Sequence, residues 1–529
     1  MSKSLIKRPS QQFMVKLLDD FSIKLPDDFT LANPLADLTN DTRQLNSGDI
    51  FCAVIGHVVD GRKYIAAAIN NGASLVLAEC SDESEHGNII FQQDIAVVSF
   101  YHLNKKLFTL ASAYYQTPQA KMTMIGITGT NGKTSTSQLL GQILTSCQKP
   151  CAIIGTNGAG LVNNLQAIEN TTPSATDLVQ LFDRFTKQKV THLAMEVSSH
   201  ALAQGRVNGN AFDIAVFTNL SRDHLDYHDS MANYAAAKRQ LFIHNNKQVA
   251  VLNGDDQQVK TWLATWPDNQ KKLWLYGRSD SVSNASQFVS CNNIEHHSQG
   301  VNFILKTHLG NIDIQSPLLG DFNIDNLLAV ITVLLIEGLS LDNIAQKITS
   351  VKAISGRMEA FSAKASVSTV SETPTAVVDY AHTPDALEKA LQACRQHCHG
   401  SLHVVFGCGG DRDKGKRALM AQAAEKYADY LIITNDNPRT EVPMSIIDDI
   451  LAGLTPQAQH QVIVDREQAV LTTLNKANSD DVVLLAGKGH ENYIILGKEK
   501  IDYNERQVVM DFYKHVNANS ASKSLGGQL

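Results

Sequence analysis

The stretch Gly126-Ile-Thr-Gly-Thr-Asn-Gly-Lys-Thr134 decides the fold of this 529-residue chain. The apolar run at 122–127 before it predicts a buried strand, and residues 134–147 after it carry apolar side chains at helical spacing. A glycine-rich turn between a strand and a helix is typical of a phosphate-binding loop, because its backbone N–H groups can surround phosphate oxygens. Lys133 would add positive charge, and the Thr134 hydroxyl could bind Mg²⁺. The stretch therefore predicts a nucleotide-binding α/β domain.

Further apolar runs on both sides of this loop alternate with helical sequence. Such alternation predicts a mainly parallel sheet with helices on both faces, and the alternating residues 301–316 predict an antiparallel edge hairpin. The length favours three domains: a small N-terminal α/β domain (1–117), a central P-loop domain (118–352) and a C-terminal Rossmann-like domain (353–529). We also expect a mobile insertion at 363–375. The predicted strands are 49–54, 74–78, 94–98, 122–127, 192–197, 213–217, 248–252, 272–276, 376–379, 403–406, 430–434, 461–464 and 481–486.

Composition excludes several classes of protein. The net charge of −7 and pI near 6.2 do not suggest nucleic-acid binding. No apolar run is long enough for a membrane span, and the polar N-terminus has no signal-peptide core. The eight cysteines are scattered, and Cys394, Cys398 and His399 lack a second ligand pair for zinc. We therefore expect a cytoplasmic enzyme that acts on small molecules as a monomer.

A carboxylate and an imidazole follow two other predicted strands. Glu196 and His224 would lie at carboxyl ends of strands in the sheet that carries the phosphate loop, where they could reach a metal–nucleotide complex. Either residue alone would more often be an ordinary polar side chain, but the nearby loop favours a functional role. Lys238 lies in an alanine-rich helical segment, and on these grounds alone it reads as a solvated lysine.

Together these segments resemble the Mur ligase family over roughly residues 40–505. That family has the compact Gly-Thr-Asn-Gly-Lys-Thr loop, whereas the general P-loop pattern would place glycine at Ile127. Segments 320–326, 356–359 and 379–384 resemble further family motifs in the same order. The resemblance implies that Lys133, Glu196, His224 and Lys238 are catalytic. It also implies ATP-binding residues at Gly129, Thr130, Asn131, Gly132, Lys133, Thr134, Ser135, Asn323, Arg357, Asp379 and His382.

The resemblance also implies a reaction and a metal requirement. A substrate carboxylate would be phosphorylated by ATP to an acyl phosphate, which an amine then attacks to form an amide. Thr134 and Glu196 would hold one Mg²⁺, and His224 with a carbamylated Lys238 would hold a second. The interpretation of Lys238 as a solvated residue is thereby reversed.

Other segments are similar to those that bind a UDP-muramoyl dipeptide in this family. Asp41-Thr42-Arg43 and Gly56-His57 resemble its UDP-binding elements, although the family usually has Ser at the position of Thr42. The substrate implied is UDP-N-acetylmuramoyl-L-alanyl-D-glutamate. Its remaining contacts would come from Asn170, Thr171, Thr172, Ser198, Gln204 and Arg206.

The segment Asp436-Asn437-Pro438-Arg439 resembles that of members that add meso-2,6-diaminopimelate. Lysine-adding members usually lack the arginine. Diaminopimelate has a second carboxylate that a guanidinium can bind bidentately, whereas lysine would leave Arg439 unpaired. Arg412 is a second candidate for this carboxylate, while Gly487 and Glu491 would hold the other end, with Glu491 suited to an ammonium.

Four alternatives remain beside this interpretation. They are a lysine-adding or folylpolyglutamate-type ligase, a catalytically silent nucleotide-binding regulator, and a P-loop small-molecule kinase. Arg439 and the UDP-like segment argue against the sister ligases, the intact catalytic set against a silent regulator, and the third domain against a kinase. The run Gly407-Cys-Gly-Gly410 does not predict NAD binding, because Arg412 replaces the third glycine of that fingerprint.

Overall fold

A computed structural model describes most of the chain as two compact units. The first contains residues 1–276 and 285–287, and the second contains 277–284 and 288–529. His57 and most of the predicted insertion at 363–375 lie outside the described residues, and the three domain boundaries stay predictions. Among the described residues, no helix has the length and apolar character needed to cross a membrane. The described residues are 10–26, 29–31, 34–56, 59–242, 247–266, 272–297, 300–362 and 373–525.

A five-stranded sheet forms the N-terminal part of the first unit. Its elements are α1 (Gln11–Asp19), β1 (Leu38–Thr39), β2 (Ile50–Ala53), α2 (Ile65–Asn70), β3 (Leu75–Cys80), β4 (Ile89–Gln92), β5 (Ile95–Tyr101) and α3 (Leu103–Tyr114). The order is β1-β2-β3-β5-β4, and only the edge strand β4 is antiparallel. Apolar strand residues such as Leu75 and Val98 pack with Leu107 and Phe108 of α3. The predicted small α/β domain is present.

A second sheet in the first unit carries the phosphate loop. Its elements are β6 (Thr123–Thr128), α4 (Lys133–Ser146), β7 (Cys151–Gly155), β8 (Gly158–Leu161), β9 (Asn164–Gln166), α5 (Ala175–Lys187), β10 (His192–Glu196), α6 (Ser199–Ala203), β11 (Ile214–Phe217), α7 (Leu225–His228), α8 (Met231–Arg239), β12 (Val249–Asn253), α9 (Gln257–Leu263) and β13 (Leu273–Tyr276). Within this unit the order is β13-β12-β11-β6-β10-β7-β8-β9. All pairs are parallel except β7–β8 and β8–β9. The mainly parallel sheet is confirmed, whereas β7, β8 and β9 were not predicted.

The strand order brings three chain segments to one edge of this sheet. β6 lies between β10 and β11, and both neighbours run parallel to it. Their carboxyl ends therefore lie side by side, which is where ligands bind in open α/β sheets. The loop after β6, Glu196 at the end of β10 and the segment after β11 are consequently neighbours.

The second unit contains an antiparallel hairpin and another α/β sheet. The elements are α10 (Asp280–Ser283), β14 (Phe288–His297), β15 (Gly300–Thr307), β16 (Gly310–Ser316), α11 (Asp321–Ile336), α12 (Leu341–Ile348), β17 (Glu359–Phe361), β18 (Thr375–Asp379), α13 (Pro384–Gln396), β19 (Leu402–Phe406), α14 (Gly415–Tyr427), β20 (Tyr430–Ile433), α15 (Pro443–Leu451), β21 (His460–Val462), α16 (Arg466–Lys476), β22 (Val482–Ala486), β23 (Tyr493–Leu496), β24 (Glu499–Asp502) and α17 (Glu505–Leu525). β15 and β16 pair around Gly310, confirming the predicted hairpin, while β14, on the other side of β15, was not predicted. The larger sheet has the order β17-β18-β22-β19-β20-β21 and is parallel except at β17, as a Rossmann-like domain requires.

Candidate active site

The loop Gly129–Gly132 connects β6 to α4 with a backbone that requires glycine at both ends. Gly129 has φ +151° and Gly132 has φ +84°, and a Cβ on Gly129 would lie 1.9 Å from the Thr218 hydroxyl oxygen. Lys133 Nζ donates to the carbonyl oxygens of Gly129 and Thr130, both at 2.9 Å. The helix N-terminus and the Lys133 ammonium thus lie together at the loop, which is the arrangement that the predicted anion-binding role would use.

Glu196 lies beside this loop and is almost fully buried. Its Oε2 accepts a hydrogen bond from the Thr134 hydroxyl at 3.0 Å, and its Oε1 accepts one from the Thr156 N–H at 2.9 Å. Burial raises the pKa of Glu196, while the charge of Lys133 and the hydrogen bonds from Thr156 and Thr134 oppose the rise. A carboxylate and a hydroxyl are therefore held together at the start of α4.

Lys238 is buried against the same loop. Its Nζ donates to the Gly129 carbonyl oxygen at 2.8 Å and lies 4.3 Å from the centre of the Tyr234 ring. Burial and the nearby charge of Lys133 lower the pKa of Lys238 to about 6. The interpretation of Lys238 as a solvated lysine is wrong, because its helix turns this side chain inward.

His224 is the most exposed of the four predicted catalytic residues, with 47% of its side chain accessible. It follows β11 with a left-handed backbone, φ +52°. Its ring lies 4.9 Å from that of His200 and 6.1 Å from that of Tyr234, whose hydroxyl is 3.3 Å from the Thr130 hydroxyl. The structure therefore brings Lys133, Glu196 and Lys238 to the phosphate loop, while His224 is linked to the loop through the Tyr234 ring.

A cleft of about 920 Å³ lies elsewhere in the first unit and contains two predicted UDP-substrate residues, Thr42 and Asn170. It is bordered by Asp41 and Arg43, which form an ion pair, and by Arg184. Gln180 Nε2 donates to the Leu38 carbonyl oxygen at 2.6 Å, which ties α5 to the N-terminal sheet beneath the cleft. The N-terminal segment and the segment 167–184 thus line one cleft.

The remaining dipeptide-site residues form a hydrogen-bonded chain that begins at Glu196. The Thr172 hydroxyl donates to the Glu196 carbonyl oxygen at 2.9 Å and accepts from the Ser198 N–H at 3.1 Å. Arg206 donates to the Thr172 carbonyl oxygen at 3.0 Å and to Gln204 Oε1 at 2.8 Å. Thr171 lies 3.1 Å from the Thr156 hydroxyl, so five of the six predicted dipeptide residues occupy one continuous region, while Asn170 lines the cleft.

In the second unit, Arg357, Asp379 and His382 surround Tyr380. The Asp379 carboxylate accepts hydrogen bonds from the N–H groups of Met358 at 2.7 Å and Ala381 at 2.8 Å. Burial raises the pKa of this carboxyl group, and the two hydrogen bonds partly oppose the rise. The Arg357 guanidinium lies 4.9 Å from the centre of the Tyr380 ring, and the His382 ring packs on the same tyrosine. Three of the four predicted nucleotide residues of this unit are therefore brought together.

Asn323 lies in the first turn of α11 and is buried. Its amide donates to the Leu319 carbonyl oxygen at 2.9 Å, and its Oδ1 accepts from Asn326 at 3.2 Å. These bonds fix the side chain within its own helix N-terminus, and its predicted contact with a nucleotide stays a prediction.

The predicted amine-binding segments face each other at the carboxyl ends of β20 and β22. Asn437 Nδ2 donates to Glu491 Oε2 at 3.0 Å, and a Cβ on Gly487 would lie 2.6 Å from Asp436 Oδ2. Arg439 has φ +52° and donates to the Gly410 carbonyl oxygen at 2.8 Å. Pro438 lies between these residues in the same turn.

Arg412 and Arg439 flank Gly409. A Cβ on Gly409 would lie 2.9 Å from an Arg439 guanidinium nitrogen and 3.8 Å from Arg412 Cγ. The structure thus places the Arg439 guanidinium and the Arg412 side chain beside Gly409, and Asn437 contacts both Arg439 and Glu491.

Two polar residues at these sites were missed by the sequence prediction. Thr156, which contacts Glu196, follows the unpredicted strand β7, so its position at a strand end went unrecognised. Lys488 lies inside a glycine-rich turn, where a lysine is normally solvated, yet its side chain is fully buried. Only the strictly apolar run of β22 before it hinted at burial.

The fold and the phosphate loop define this chain as a P-loop nucleotide-dependent enzyme. Family models match it as the "Mur ligase family, catalytic domain" (36–115), "Mur ligase middle domain" (127–334) and "Mur ligase, glutamate ligase domain" (356–489). A Haemophilus influenzae (strain 86-028NP) protein named UDP-N-acetylmuramoyl-L-alanyl-D-glutamate–2,6-diaminopimelate ligase is 42% identical over 91% of this chain and 96% of its own length. The chain belongs to the Mur ligase family.

Solved structures agree with this assignment. One of a UDP-N-acetylmuramoyl-L-alanyl-D-glutamate–2,6-diaminopimelate ligase has a TM-score of 0.70 and 32% identity, covering 94% of this chain and 98% of its own. MurF from Acinetobacter baumannii has a TM-score of 0.60 at 17% identity, covering 97% of this chain and all of its own, and shares the fold.

Proposed function

We propose that this protein is an ATP-dependent ligase that joins meso-2,6-diaminopimelate to UDP-N-acetylmuramoyl-L-alanyl-D-glutamate. The observation that carries the proposal is the convergence of Lys133, Glu196 and Lys238 on one phosphate loop, in a chain similar to diaminopimelate-adding ligases along nearly its whole length. Arg439 beside Glu491 supports the choice of amine.

The first step joins the glutamyl carboxylate to the γ-phosphoryl group. A carboxylate oxygen attacks the γ-phosphorus, the bond to the β–γ bridging oxygen breaks, and ADP leaves. Both reactants are anionic, so positive charge along the transfer line is the main requirement of catalysis. Lys133 supplies it from the loop, and the N–H groups at the start of α4 hold the phosphates.

The second step forms the amide. The amine attacks the acyl carbon, phosphate leaves with the transferred carboxylate oxygen, and the ammonium proton is released. Positioning of three reactants can lower such a barrier by about 7–11 kcal/mol. The hydrogen-bonded chain from Glu196 through Thr172 to Arg206 would hold the acyl donor close to the loop.

The residues at the loop fit Mg²⁺. The adjacent Thr134 hydroxyl and Glu196 carboxylate are hard oxygen donors, and few protein ligands suffice because Mg²⁺ also takes water and phosphate oxygens. In the described part of the chain, no cluster of three or more His, Cys, Asp or Glu residues could hold a metal alone. Mg²⁺ would neutralise charge developing on the phosphates, with Thr134 and Glu196 holding one ion and His224 the other.

Lys238 would complete the second metal site as a carbamate. A neutral amine is required to react with carbon dioxide, and a pKa of about 6 leaves Lys238 mostly neutral at pH 7.5. The carbamate would convert a buried neutral amine into an anionic oxygen ligand, which the nearby positive charge of Lys133 favours.

We also propose a monomeric, cytoplasmic enzyme with small-molecule partners. Its dependence on ATP and its eight free cysteines, most of them buried, fit a reducing compartment. Sedimentation at micromolar concentration tests the oligomeric state, where a monomer of 57.8 kDa is expected.

Phosphate release from ATP tests the function. The UDP-muramoyl dipeptide is supplied with diaminopimelate, lysine, glutamate or no amine. Release that needs both the dipeptide and diaminopimelate supports the proposal. Equal efficiency with lysine would overturn the choice of amine. Phosphate release without any amine would indicate a simple ATPase, and ADP formation without phosphate release would indicate a kinase.

A further inference from the structure

Lys488 is a charged side chain with no exposure to solvent. Its Nζ donates to Asn437 Oδ1 at 2.8 Å and to the Tyr493 carbonyl oxygen at 3.0 Å. Asp436 Oδ1 lies 3.3 Å away and Glu491 Oε2 3.4 Å away. A buried ammonium is strongly disfavoured unless its three donors are satisfied, so these acceptors determine where Lys488 lies. The ammonium in turn fixes the positions of these four acceptor groups.

Asn437 transmits the position of Lys488 to Glu491. Its Oδ1 accepts from Lys488 and from the Ile495 N–H at 2.9 Å, which fixes the orientation of the amide. Its Nδ2 must then point away from Lys488, and it donates to Glu491 Oε2 at 3.0 Å. One oxygen of the Glu491 carboxylate is therefore held by two internal donors.

The other oxygen of Glu491 has a looser environment. Its described contact is with the Tyr380 hydroxyl at 3.5 Å, and 16% of the Glu491 side chain is exposed. Lys488 thus orders a carboxylate of which one oxygen stays accessible. That oxygen suits an incoming ammonium.

The charges of the cluster support the same conclusion. Asp436 and Glu491 share the single cation of Lys488, which leaves one excess negative charge. The neighbouring Arg466–Glu505 ion pair is buried and has no net charge, so it does not offset this excess. Arg466 also donates hydrogen bonds to the Asn435 and Ala486 carbonyl oxygens. One ligand ammonium would balance the cluster, while a ligand carboxylate would meet Arg439.

We propose that Lys488 is a positioning residue that orders Glu491 to receive the distal ammonium of the acceptor, and so sets selection for a diamino diacid. This inference rests on the proposed function. It assigns Lys488 no contact with the substrate and no part in the phosphoryl transfer.

The test compares diaminopimelate with 2-aminopimelate, which keeps the reacting amine and the distal carboxylate but lacks the distal amine. kcat/KM is measured for both acceptors with wild type and with Lys488→Met. Wild type should prefer diaminopimelate by roughly 10–100-fold, since a charge-assisted hydrogen bond is lost with the analogue. In Lys488→Met this preference should fall by about 10-fold, with the KM values for ATP and the UDP-dipeptide within about 3-fold of wild type.

Lys476→Met removes an equal charge from the exposed end of α16 and should leave the preference unchanged. Lys488→Gln is the second variant if Lys488→Met does not fold, and should also lose the preference. An unchanged preference in a folded variant overturns the proposal, as does failure of both variants to fold, which would assign Lys488 to stability alone. A wild type that rejects diaminopimelate would instead refute the proposed function.

Discussion

The environment of the Lys238 amine disfavours a positive charge. The amine is buried, it shares the Gly129 carbonyl oxygen with Lys133, and its pKa is lowered to about 6. We therefore expect a ¹³C carbamate signal from Lys238 in ¹³CO₂-equilibrated protein at pH 7.5. The signal should decrease as the pH falls through about 6, because protonation removes the nucleophilic amine.

Replacing Lys238 should abolish catalysis rather than folding. Lys238→Ala removes the amine that would carry the carbamate ligand of the second metal, and we expect kcat to fall by at least about 100-fold. Added bicarbonate should not restore activity, since the variant has no amine to modify. Lys260→Ala, on the exposed side of α9, is the matched control. Full activity of Lys238→Ala would refute the role of this residue.

Replacing Arg439 should raise the KM of one substrate only, the amine. Arg439→Ala removes a guanidinium suited to the distal carboxylate, and we expect the KM for diaminopimelate to rise by roughly 10–100-fold. The KM for ATP should stay within about 3-fold of the wild-type value. The control is Arg395→Ala, which removes a surface arginine paired with Asp429 and should leave the KM values for both substrates within the same range. An equal rise in the KM for ATP would show that Arg439 does not act on the amine.

Site residues could be predicted from the sequence only where they belong to a recognisable motif. Lys133, Thr134 and Glu196 were predicted because the chemistry of a phosphate loop requires those residue types at strand ends. Lys238 and Lys488 could not be placed from sequence physics, since nothing local distinguishes a buried lysine from a solvated one. Only the long-range contacts of Lys238 with Gly129, and of Lys488 with Asn437, make them special.

At the scale of elements, the last residue of β7, Gly155, lies directly against the Glu196 carboxylate. A Cβ on Gly155 would lie 2.0 Å from Glu196 Oε1. Gly155→Ala should displace the carboxylate by about an ångström and lower kcat roughly 100-fold. Gly338→Ala is the control variant. Gly338 has a positive φ, so the substitution should lower stability, but its Cβ would contact no neighbour and kcat should stay unchanged. If Gly155→Ala retains wild-type kcat, Glu196 does not need its observed position.

His397, at the end of α13, ties three elements of the second unit together. Its Nδ1 lies 2.7 Å from the His297 carbonyl oxygen and must donate, whereas its Nε2 accepts from the Gly320 N–H at 2.9 Å. Only the neutral ring can make both bonds. Burial lowers the pKa of His397 from its ordinary value of 6.5, so its contribution to stability is present above pH 6.5 and is lost as the pH falls.

A thermal unfolding series tests this contribution. Between pH 7.5 and 5.5 the melting temperature of wild type should fall more than that of His397→Gln, in which this titration is absent. His399→Gln, an exposed neighbour, should behave like wild type. Parallel pH curves for wild type and His397→Gln would show that the ring is not held neutral.

The alternation of apolar runs predicted most parallel strands because a buried strand is a short continuous apolar segment. It missed β7, although all five of its residues are buried and it pairs in parallel with β10. It also missed β8 and β9, which are short and contain Gly and Asn, and β14, which is polar along half its length. β8, β9 and β14 pair in antiparallel hairpins with strands close in the chain, and their conformation depends on this pairing more than on burial.

At the scale of the whole molecule, three Mur ligase domain models match successive parts of the chain. In the first unit, the phosphate loop and the hydrogen-bonded chain to Arg206 lie in one region, and the 920 Å³ cleft extends from the N-terminal sheet to Asn170. In the second unit, the Tyr380 hydroxyl lies 3.5 Å from Glu491 Oε1, so the predicted nucleotide residues around Tyr380 and the predicted amine-binding residues are neighbours.

Oxygen transfer tests the central claim most directly. The UDP-muramoyl dipeptide, labelled with ¹⁸O in the glutamyl side-chain carboxylate, is incubated with ATP and diaminopimelate, and the released phosphate is analysed by mass spectrometry. Activation as an acyl phosphate predicts one ¹⁸O atom in each phosphate, in step with formation of the diaminopimelate-containing product. Product formation with unlabelled phosphate would contradict the account.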